Sequence, residues 1–418
     1  IVKHGEEKAK IKMKIGESYA SVGDARGLDF LQSAKEGLNP GIHSEEYAET
    51  LTWIGRYHHY QAQHRQAINS YESALELLAS SDKYKIKCQI FSFLAGAYQH
   101  ILEFKRSDYW ANECLILGEK NNDPSWIAVG NEFLAENAVT KGRWNDGLEY
   151  SNNDREIGKK IGAQDRVAWG KFTQAEILYG LGQLNEALSV GQSALNLVEQ
   201  IGENRLAILI RSNLSMVQVA MDLMEEAEEN ARIAVSQADE LDQDFMQCWS
   251  RYAYASLLVN QKEWDKALQV CEEGRLIYED GENLAARVYI NNILPLALLG
   301  TGRVAEARSV VDEHLEIVRE SEMDHSHGIA LRMKGQITSL TKDYKDSHLA
   351  YNTSIKILDS IGSRLELGRT YYHRGILLDH IGKREDADMD IQIALNIFKE
   401  CGAIYDLKLV QELSASTS

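Results

Sequence analysis

Apolar residues recur at helical spacing along almost the whole chain, and the pattern repeats at a fixed interval. Residues 180–202 read GLGQLNEALSVGQSALNLVEQIG, in which the small residues Ala187, Gly191 and Ala194 fall at i, i+4 and i+7 on one face of a helix. The alternating apolar and polar positions typical of half-buried strands are absent from the sequence. The pattern therefore predicts an all-α protein.

Small residues return at the same position of every unit. Steps of forty residues from Ala187 reach Gly27, Ala67, Ser107, Gly147, Ala227, Ala267, Ala307, Ser347 and Ala387. Glycines recur on the same interval, both between two helical patterns (Gly23, Gly142, Gly182, Gly302 and Gly382) and after the second of them (Gly162, Gly202, Gly362 and Gly402). Each unit is therefore predicted to be a helix, a short turn, a second helix and a short connector.

The repeat predicts one α-solenoid over residues 1–418, built from about ten helical hairpins. A capping helix is expected near 404–414, and the chain is expected to be a piece of a longer protein. The predicted units lie at about 1–40, 41–80, 81–120, 121–160, 161–200, 201–240, 241–280, 281–320, 321–360 and 361–402.

The residues within a unit resemble the tetratricopeptide pattern. The second unit carries Ile54–Gly55, His58, Ala67, Tyr71 and Ala74, and the last carries Arg374–Gly375, Leu378, Ala387, Ile391 and Ala394. Units of forty residues resemble those of MalT-like bacterial regulators and of Pins-type spindle adapters, and the segment IALNIFKECGAIYDLKLVQEL (393–413) looks like the closing unit of arrays in bacterial signalling proteins. The resemblance implies a right-handed superhelix whose first helices line a concave face. A HEAT or armadillo solenoid is the alternative fold.

Charge and composition narrow the possible partners. The net charge is −18, which argues against direct nucleic-acid binding and against an anionic membrane surface. No apolar run approaches the ~18–20 residues needed to span a bilayer. The five cysteines are scattered along the sequence and form no C-x-x-C motif, as is typical of reduced cytoplasmic proteins.

The inward positions of the first helices can be read from the sequence at intervals of forty. Three rows are predicted to face inward. The first is Glu49, Gln89, Val129, Trp169, Leu209, Trp249, Tyr289, Ile329 and Arg369; the second is Thr52, Ser92, Glu132, Phe172, Ser212, Tyr252, Asn292, Arg332 and Tyr372; the third is Arg56, Gly96, Glu136, Glu176, Met216, Ser256, Leu296, Gln336 and Ile376. Aromatic residues gather in units five to eight, where they suit capture of a protein or peptide, although packing between units explains them equally well. The predicted partner-binding residues are Trp169, Phe172, Glu176, Tyr179, Trp249, Tyr252, Tyr289 and Asn292.

No motif in the sequence indicates catalysis or a cofactor. Phosphate-binding loops, nucleophile elbows and zinc-protease motifs are absent, and DHSH at 324–327, placed in a connector, is a weak metal candidate. The predicted function is a non-catalytic protein- or peptide-binding scaffold, the sensory or interaction arm of a larger cytoplasmic bacterial signalling protein whose other domains are further partners. The alternatives are a small-ligand sensor of the MalT-like type and a passive structural spacer. The sensor predicts a closed apolar-aromatic pocket around Trp169 and Trp249 in place of a long open groove, and the spacer predicts no specific ligand.

Two positions break the repeat. Asp154 occupies a small-residue position in unit four, where Gly158 also falls inside the helix, so that this unit is predicted to be a flexible joint. Pro295 falls within the first helix of unit eight and is expected to kink it.

Overall fold

The computed structural model describes residues 2–279 and 281–416. Within these ranges the chain forms 22 α-helices and no β-strand, which confirms the predicted all-α class. The helices are α1 (Val2–Ala20), α2 (Arg26–Gly37), α3 (Ser44–Tyr60), α4 (His64–Leu77), α5 (Tyr84–His100), α6 (Phe104–Lys120), α7 (Pro124–Thr140), α8 (Trp144–Ile161), α9 (Gln164–Gly180), α10 (Leu184–Ile201), α11 (Asn204–Ala220), α12 (Met224–Leu241), α13 (Asp244–Asn260), α14 (Trp264–Glu279), α15 (Leu284–Asn291), α16 (Leu294–Gly300), α17 (Val304–Glu320), α18 (Asp324–Leu340), α19 (Tyr344–Ser360), α20 (Arg364–His380), α21 (Arg384–Cys401) and α22 (Ile404–Ser416).

The chain divides into two compact units. The first contains residues 1–137 and 280–285, and the second contains residues 138–279 and 286–418, so that the division falls within α7 and within α15. In the first unit the helix pairs are α1–α2, α3–α4 and α5–α6. In the second they are α9–α10, α11–α12, α13–α14, α18–α19 and α20–α21, while α15 and α16 share the place of one first helix. The single solenoid over 1–418 with its unit bounds stays a prediction.

Left-handed turn residues mark the ends of the helices. All nine glycines predicted at turns and helix ends have positive φ, from Gly23 to Gly402. After α9 the Gly182 amide donates to the Tyr179 carbonyl at 2.9 Å and the Gln183 amide to the Leu178 carbonyl at 2.8 Å, the bond pattern of a Schellman motif. Most intervening turns use the same conformation with other residues: Ala62, Leu102, Asn122, Asp222, Asp242, Lys262, Glu322 and Lys342.

The stripe of small residues on the second helices is buried, as the repeat predicts. Ala187 and Ala194 are fully buried on α10, together with Gly191. A Cβ atom added to Gly191 would lie 2.8 Å from Leu214 Cδ2 on α11. The small side chains therefore let neighbouring helices approach closely, and bulk at these positions would force the hairpins apart.

Distant hairpins of the second unit also pack on one another. A single apolar cluster joins Leu184 of α10 and Val217 of α11 to Leu365 of α20 and Phe398 of α21. The Trp144 ring lies edge-on to the His325 ring, with centroids 5.5 Å apart. The early and late hairpins of this unit thus share one core.

Two glycines accommodate large rings on the neighbouring hairpin. Gly180 ends α9 and Gly300 ends α16, and each faces a tryptophan that begins the second helix of the preceding hairpin, Trp144 and Trp264 respectively. A Cβ atom on Gly180 would lie 2.7 Å from the Trp144 ring, and one on Gly300 would lie 2.2 Å from the Trp264 ring. The large and small side chains at these contacts therefore complement each other.

Pro295 interrupts its helix, as expected. The first helix of this hairpin stops at Asn291, and α16 begins at Leu294 with Pro295 in its first turn. Proline has no amide hydrogen, and its ring collides with the carbonyl four residues earlier, so the α-helix cannot continue through it. The break leaves Asn292 and Ile293 in a turn at the inner side of the hairpin.

Gly158 has a packing reason that the sequence did not show. Helix α8 is continuous, and a Cβ atom on Gly158 would lie 2.7 Å from Arg166 Cβ on α9. Asp154 is buried on the same helix, with 1% of its surface exposed. The flexible joint in unit four stays a prediction, but Gly158 is explained by close packing alone.

We expect Gly180→Ala to destabilise the protein by about 1–3 kcal/mol, because the new methyl group collides with the Trp144 ring. An unhindered glycine-to-alanine change inside a helix normally stabilises by up to ~1 kcal/mol. Urea denaturation followed by circular dichroism measures the difference. Gly5→Ala on α1 is the matched control, since its added methyl group would have no neighbouring atom within 4 Å. Equal effects of the two changes would contradict this account of the contact.

Candidate functional site

The first helices of the second unit line an inner cavity of about 670 Å³. Helices α9, α11, α13, α16, α18 and α20 contribute to its wall, and α22 completes it. Part of each predicted inward row is found there: the lining includes Ile329 and Arg369 of the first row, Tyr252, Asn292, Arg332 and Tyr372 of the second, and Met216, Ser256, Leu296 and Gln336 of the third. Other members of the rows, among them Leu209, lie in the apolar core instead. The volume lies within the ~300–1,000 Å³ of typical ligand sites in proteins.

The predicted partner-binding residues divide between the cavity and the core. Tyr179, Tyr252 and Asn292 line the inner cavity. Phe172 and Trp249 are buried in the apolar core, with 4% and 7% of their surfaces exposed. The sequence alone could not separate these two groups, because a side chain at helical spacing can point either into the groove or between hairpins.

The remaining predicted residues lie beside this core. Trp169 and Tyr289 are half-buried against it, and the Tyr289 ring meets the Trp249 ring at 88° with centroids 4.3 Å apart. Glu176 is half-buried on α9. These three are not among the described residues that line the inner cavity. Their role in partner binding stays a prediction.

A chain of alternating charges forms one wall of the cavity. Arg332 on α18 is paired with Glu366 on α20, Glu366 also accepts a hydrogen bond from Arg369 Nη1 at 2.7 Å, and Arg369 is paired with Asp406 on α22. Arg369 donates from Nε and Nη2 to the two carboxylate oxygens of Asp406, at 2.8 and 3.1 Å. We call these four residues the ion chain. It carries two positive and two negative charges, so the wall is polar but balanced.

Pairing within the ion chain overcomes the effect of burial on its charged groups. Burial alone would raise the pKa of Glu366, but the Arg332 and Arg369 guanidinium groups beside it lower that pKa to about 2. Burial would likewise lower the pKa of Arg369, and Asp406 and Glu366 instead raise it well above the usual range. Glu366 and Arg369 are therefore charged at neutral pH. Removing one partner would leave its neighbour buried and unpaired, which is costly in a low-dielectric interior.

The break before Pro295 creates a neutral polar contact on the same inner face. Asn292 Nδ2 donates to Ser326 Oγ at 3.2 Å, and His314 Nε2 donates to Asn292 Oδ1 at 2.9 Å. His314 occupies a small-residue position of the repeat and is fully buried. The histidine ring is accommodated where the facing helix is broken.

A sequence interval of 34 residues joins these inner polar pairs. Asn292 bonds to Ser326 and Arg332 to Glu366, in each case from the middle of one first helix to the start of the next. Complementary polar residues at that interval are the sequence signal that would have identified Glu366. Asp406 also follows Glu366 by forty residues. The inward rows include Arg332 and Arg369, but the sequence-based prediction emphasised aromatic residues and did not identify Glu366 and Asp406 as the partners of these arginines.

The other candidate features are accounted for by packing. DHSH at 324–327 forms the first turn of α18 and not a connector, and His325 Nδ1 is hydrogen-bonded to Ser363 Oγ at 3.1 Å. Among the described residues, no group of three or more histidine, cysteine or acidic side chains is arranged to hold a metal ion. Within the same residues, no helix is both long and apolar enough to cross a bilayer.

Comparison with protein families and curated proteins gives limited similarity. No family model matches the sequence. Over 137 residues, or 33% of this chain, the sequence is 28% identical to the regulatory protein AfsR of Streptomyces griseus. That match spans 13% of the length of AfsR, so it does not establish an activity of the whole AfsR protein for this chain.

Solved structures are similar over most of the chain. A Rap protein complexed with competence and sporulation factor superposes with a TM-score of 0.59 and 13% identity, covering 85% of this chain and 99% of its own. The Rap conjugation gene regulator of plasmid pLS20, in complex with the Phr* peptide, superposes with a TM-score of 0.55 and 14% identity. The match covers 86% of this chain and 96% of the regulator. NprR in complex with its cognate peptide NprX superposes with a TM-score of 0.54 and 11% identity, and the match covers 85% of this chain and 99% of NprR.

Identities this low show a shared fold alone. The predicted tetratricopeptide-like array is confirmed, whereas the finer resemblance to MalT-like regulators belongs with the proposed function.

We expect the free energy of unfolding to fall as the pH drops below about 6.5, partly because of His314. Burial lowers the pKa of His314 to about 3, whereas an unfolded histidine takes up a proton near pH 6.5. The neutral ring of the folded state therefore contributes full stability above pH 6.5, and that contribution is lost as the pH falls toward 3. For this residue the expected loss is about 1 kcal/mol between pH 6.5 and 5.5, with a slope that approaches about 1.4 kcal/mol per pH unit at lower pH.

Urea denaturation at a series of pH values between 6.5 and 5.5 measures this loss. His314→Asn should have a correspondingly shallower pH dependence than the wild type. His380→Gln, at an exposed position on α20, is the control. An unchanged pH dependence in His314→Asn would show that the buried ring is not responsible.

Proposed function

We propose that this chain is a non-catalytic scaffold that binds a short peptide in the inner cavity of the second unit. The observation that carries the proposal is the cavity itself, whose lining combines apolar side chains from α13 and α16 with the ion chain on α18, α20 and α22. A peptide presents both apolar side chains and polar backbone and charged groups, and such a ligand matches both parts of this lining.

Similarity in fold supports the proposal. The three solved structures are complexes with competence and sporulation factor, with the Phr* peptide and with the peptide NprX. The match to a regulatory protein over a third of the chain is in keeping with a signalling role. We infer that the chain is the sensory arm of a larger cytoplasmic bacterial regulator, and that its other domains respond to the occupied cavity.

A small-ligand sensor of the MalT-like type is the second candidate. The predicted signature of such a sensor is an apolar-aromatic pocket around Trp169 and Trp249. The cavity lies instead beside Tyr252 and Tyr372, and both tryptophans pack with the apolar core. This placement favours a peptide over a small apolar molecule, and it also gives the chain a binding cavity that a passive spacer would not need.

We expect the full chain to retain members of a synthetic pentapeptide pool in equilibrium dialysis, with the retained peptides identified by mass spectrometry. Leu296→Trp should lower retention about tenfold or more, because an indole would occupy space in the cavity that the peptide needs. The matched control is Leu349→Trp, where the side chain is 62% exposed on α19. Circular dichroism verifies that both variants fold.

Absence of any retained peptide would overturn the peptide proposal. Equal retention by Leu296→Trp and the wild type would show that peptides bind elsewhere. Retention of small molecules from a defined metabolite mixture, with no retention of peptides, would favour the sensor alternative.

A further inference from the structure

We propose that the ligand of the inner cavity carries a carboxylate that competes with Asp406 for the Arg369 guanidinium, so that ligand binding releases α22 from the cavity wall. This inference rests on the proposed function, because it assigns the chemistry and the response of the same cavity. It makes α22 a displaceable part of the wall whose position reports occupancy.

The exposure of the ion chain indicates which group a ligand can reach. The Arg369 side chain is 20% exposed, whereas those of Glu366, Asp406 and Arg332 are 7%, 5% and 8% exposed. The accessible charge on this wall is therefore a cation. A guanidinium presents its donors in a planar fork that matches a carboxylate in two parallel hydrogen bonds, and this is the arrangement that Asp406 already adopts.

Because of charge balance, a ligand carboxylate that binds Arg369 must displace one of the carboxylates already paired with it. The ion chain is neutral, and a third carboxylate added to a buried wall would remain unpaired at a large desolvation cost. Two internal carboxylates hold Arg369, namely Glu366 and Asp406. Glu366 is shared with Arg332, so its removal would break two ion pairs, whereas removal of Asp406 breaks one.

The helix that carries Asp406 is also the more separable of the two. Helix α20 packs against α18, α19 and α21, whereas α22 packs mainly against α21 and α11. Polar contacts also attach α22 to α13 and to the turn between α11 and α12. The Tyr405 hydroxyl donates to the Asn260 carbonyl at 2.7 Å, and Lys408 is paired with Asp222.

These contacts give α22 a defined closed position. The helix contributes Tyr405, Asp406, Leu409, Glu412 and Leu413 to the cavity lining. Its displacement would open that side of the cavity and expose apolar surface of α22 for other contacts. A ligand that replaces the Asp406 carboxylate thus shifts the population toward an open arrangement, as its differential contacts require.

The first test is chemical rescue in the full chain. We expect Asp406→Ala to melt at a lower temperature than the wild type, and sodium acetate at constant ionic strength to restore the melting temperature in a saturable manner. Acetamide, which is similar in shape and uncharged, should have no effect. In Asp406→Ala combined with Arg369→Gln, acetate should also have no effect, because the guanidinium that binds it is gone.

A second variant covers the case in which Asp406→Ala does not fold in buffer. Asp406→Asn keeps the side-chain volume and removes the charge. Hydrogen exchange should then be faster in 404–413 than in the wild type, with little change in α19. Unchanged exchange in this segment, or a failure of acetate to stabilise either single variant, would overturn the inference.

The second test uses the pentapeptide pool in two forms, with free C-terminal carboxylates and with C-terminal amides. We expect about tenfold stronger retention of the free acids if the terminal carboxylate is the competing group. Enrichment of glutamate- or aspartate-containing members of the amidated pool would instead identify an acidic side chain as its source.

The outcomes separate this inference from the proposed function. Equal retention of both pools, without enrichment of acidic members, would leave peptide binding intact and overturn the carboxylate. If no peptide is retained, the proposed function fails, and with it the role of α22 as a response to peptide; acetate rescue would then show only that Arg369 accepts a carboxylate.

Discussion

Close approach of helices at small residues is the constraint on which the rest of the structure depends. Where Gly191 meets Leu214 and Gly180 meets Trp144, there is no room for an added methyl group. These contacts fix the spacing of successive hairpins from the side of the second helix. The residues on the inner faces of the first helices therefore contribute less to packing between hairpins, and they can differ from unit to unit.

One departure from the repeat, at Pro295, lies where the inner face becomes polar. Pro295 breaks one first helix, and the resulting turn presents Asn292 to Ser326 and His314. From the next hairpin onward, the same inner face carries the ion chain from Arg332 to Asp406. Neighbouring hairpins are thus joined on the inside by directional polar contacts, in addition to the non-directional packing of their second helices. Directional contacts of this kind are also the ones that a ligand can replace.

The sequence predicted the fold well because the repeat samples the same packing environment many times. Ten small residues at one interval, with glycines at both turn positions, allow few structures other than stacked helical hairpins. The turns themselves were harder to predict. Leu102, Lys262 and Lys342 adopt the left-handed conformation without being glycine, because the surrounding helices dictate the turn.

The site was predicted only in part. The inward rows correctly placed Tyr252, Asn292 and Arg332 on the cavity wall. Trp249 and Phe172 have the same helical spacing but lie in the core, and spacing alone does not reveal how far a helix is rotated toward its neighbours. The pairing of Arg369 with Asp406 joins two helices across the end of a hairpin, and a pattern that compares each unit only with its own copies does not show such a contact.

The most direct test of the central claim, that the inner cavity is where a peptide binds, is site-specific photo-crosslinking. A photoreactive phenylalanine analogue at Tyr252, on the cavity wall, is compared with the same analogue at Tyr109, which is 53% exposed in the first unit. The structure predicts peptide adducts from the pentapeptide pool at position 252 and none at position 109. Adducts at position 109 alone, or at neither position under conditions where the pool is retained, would contradict it.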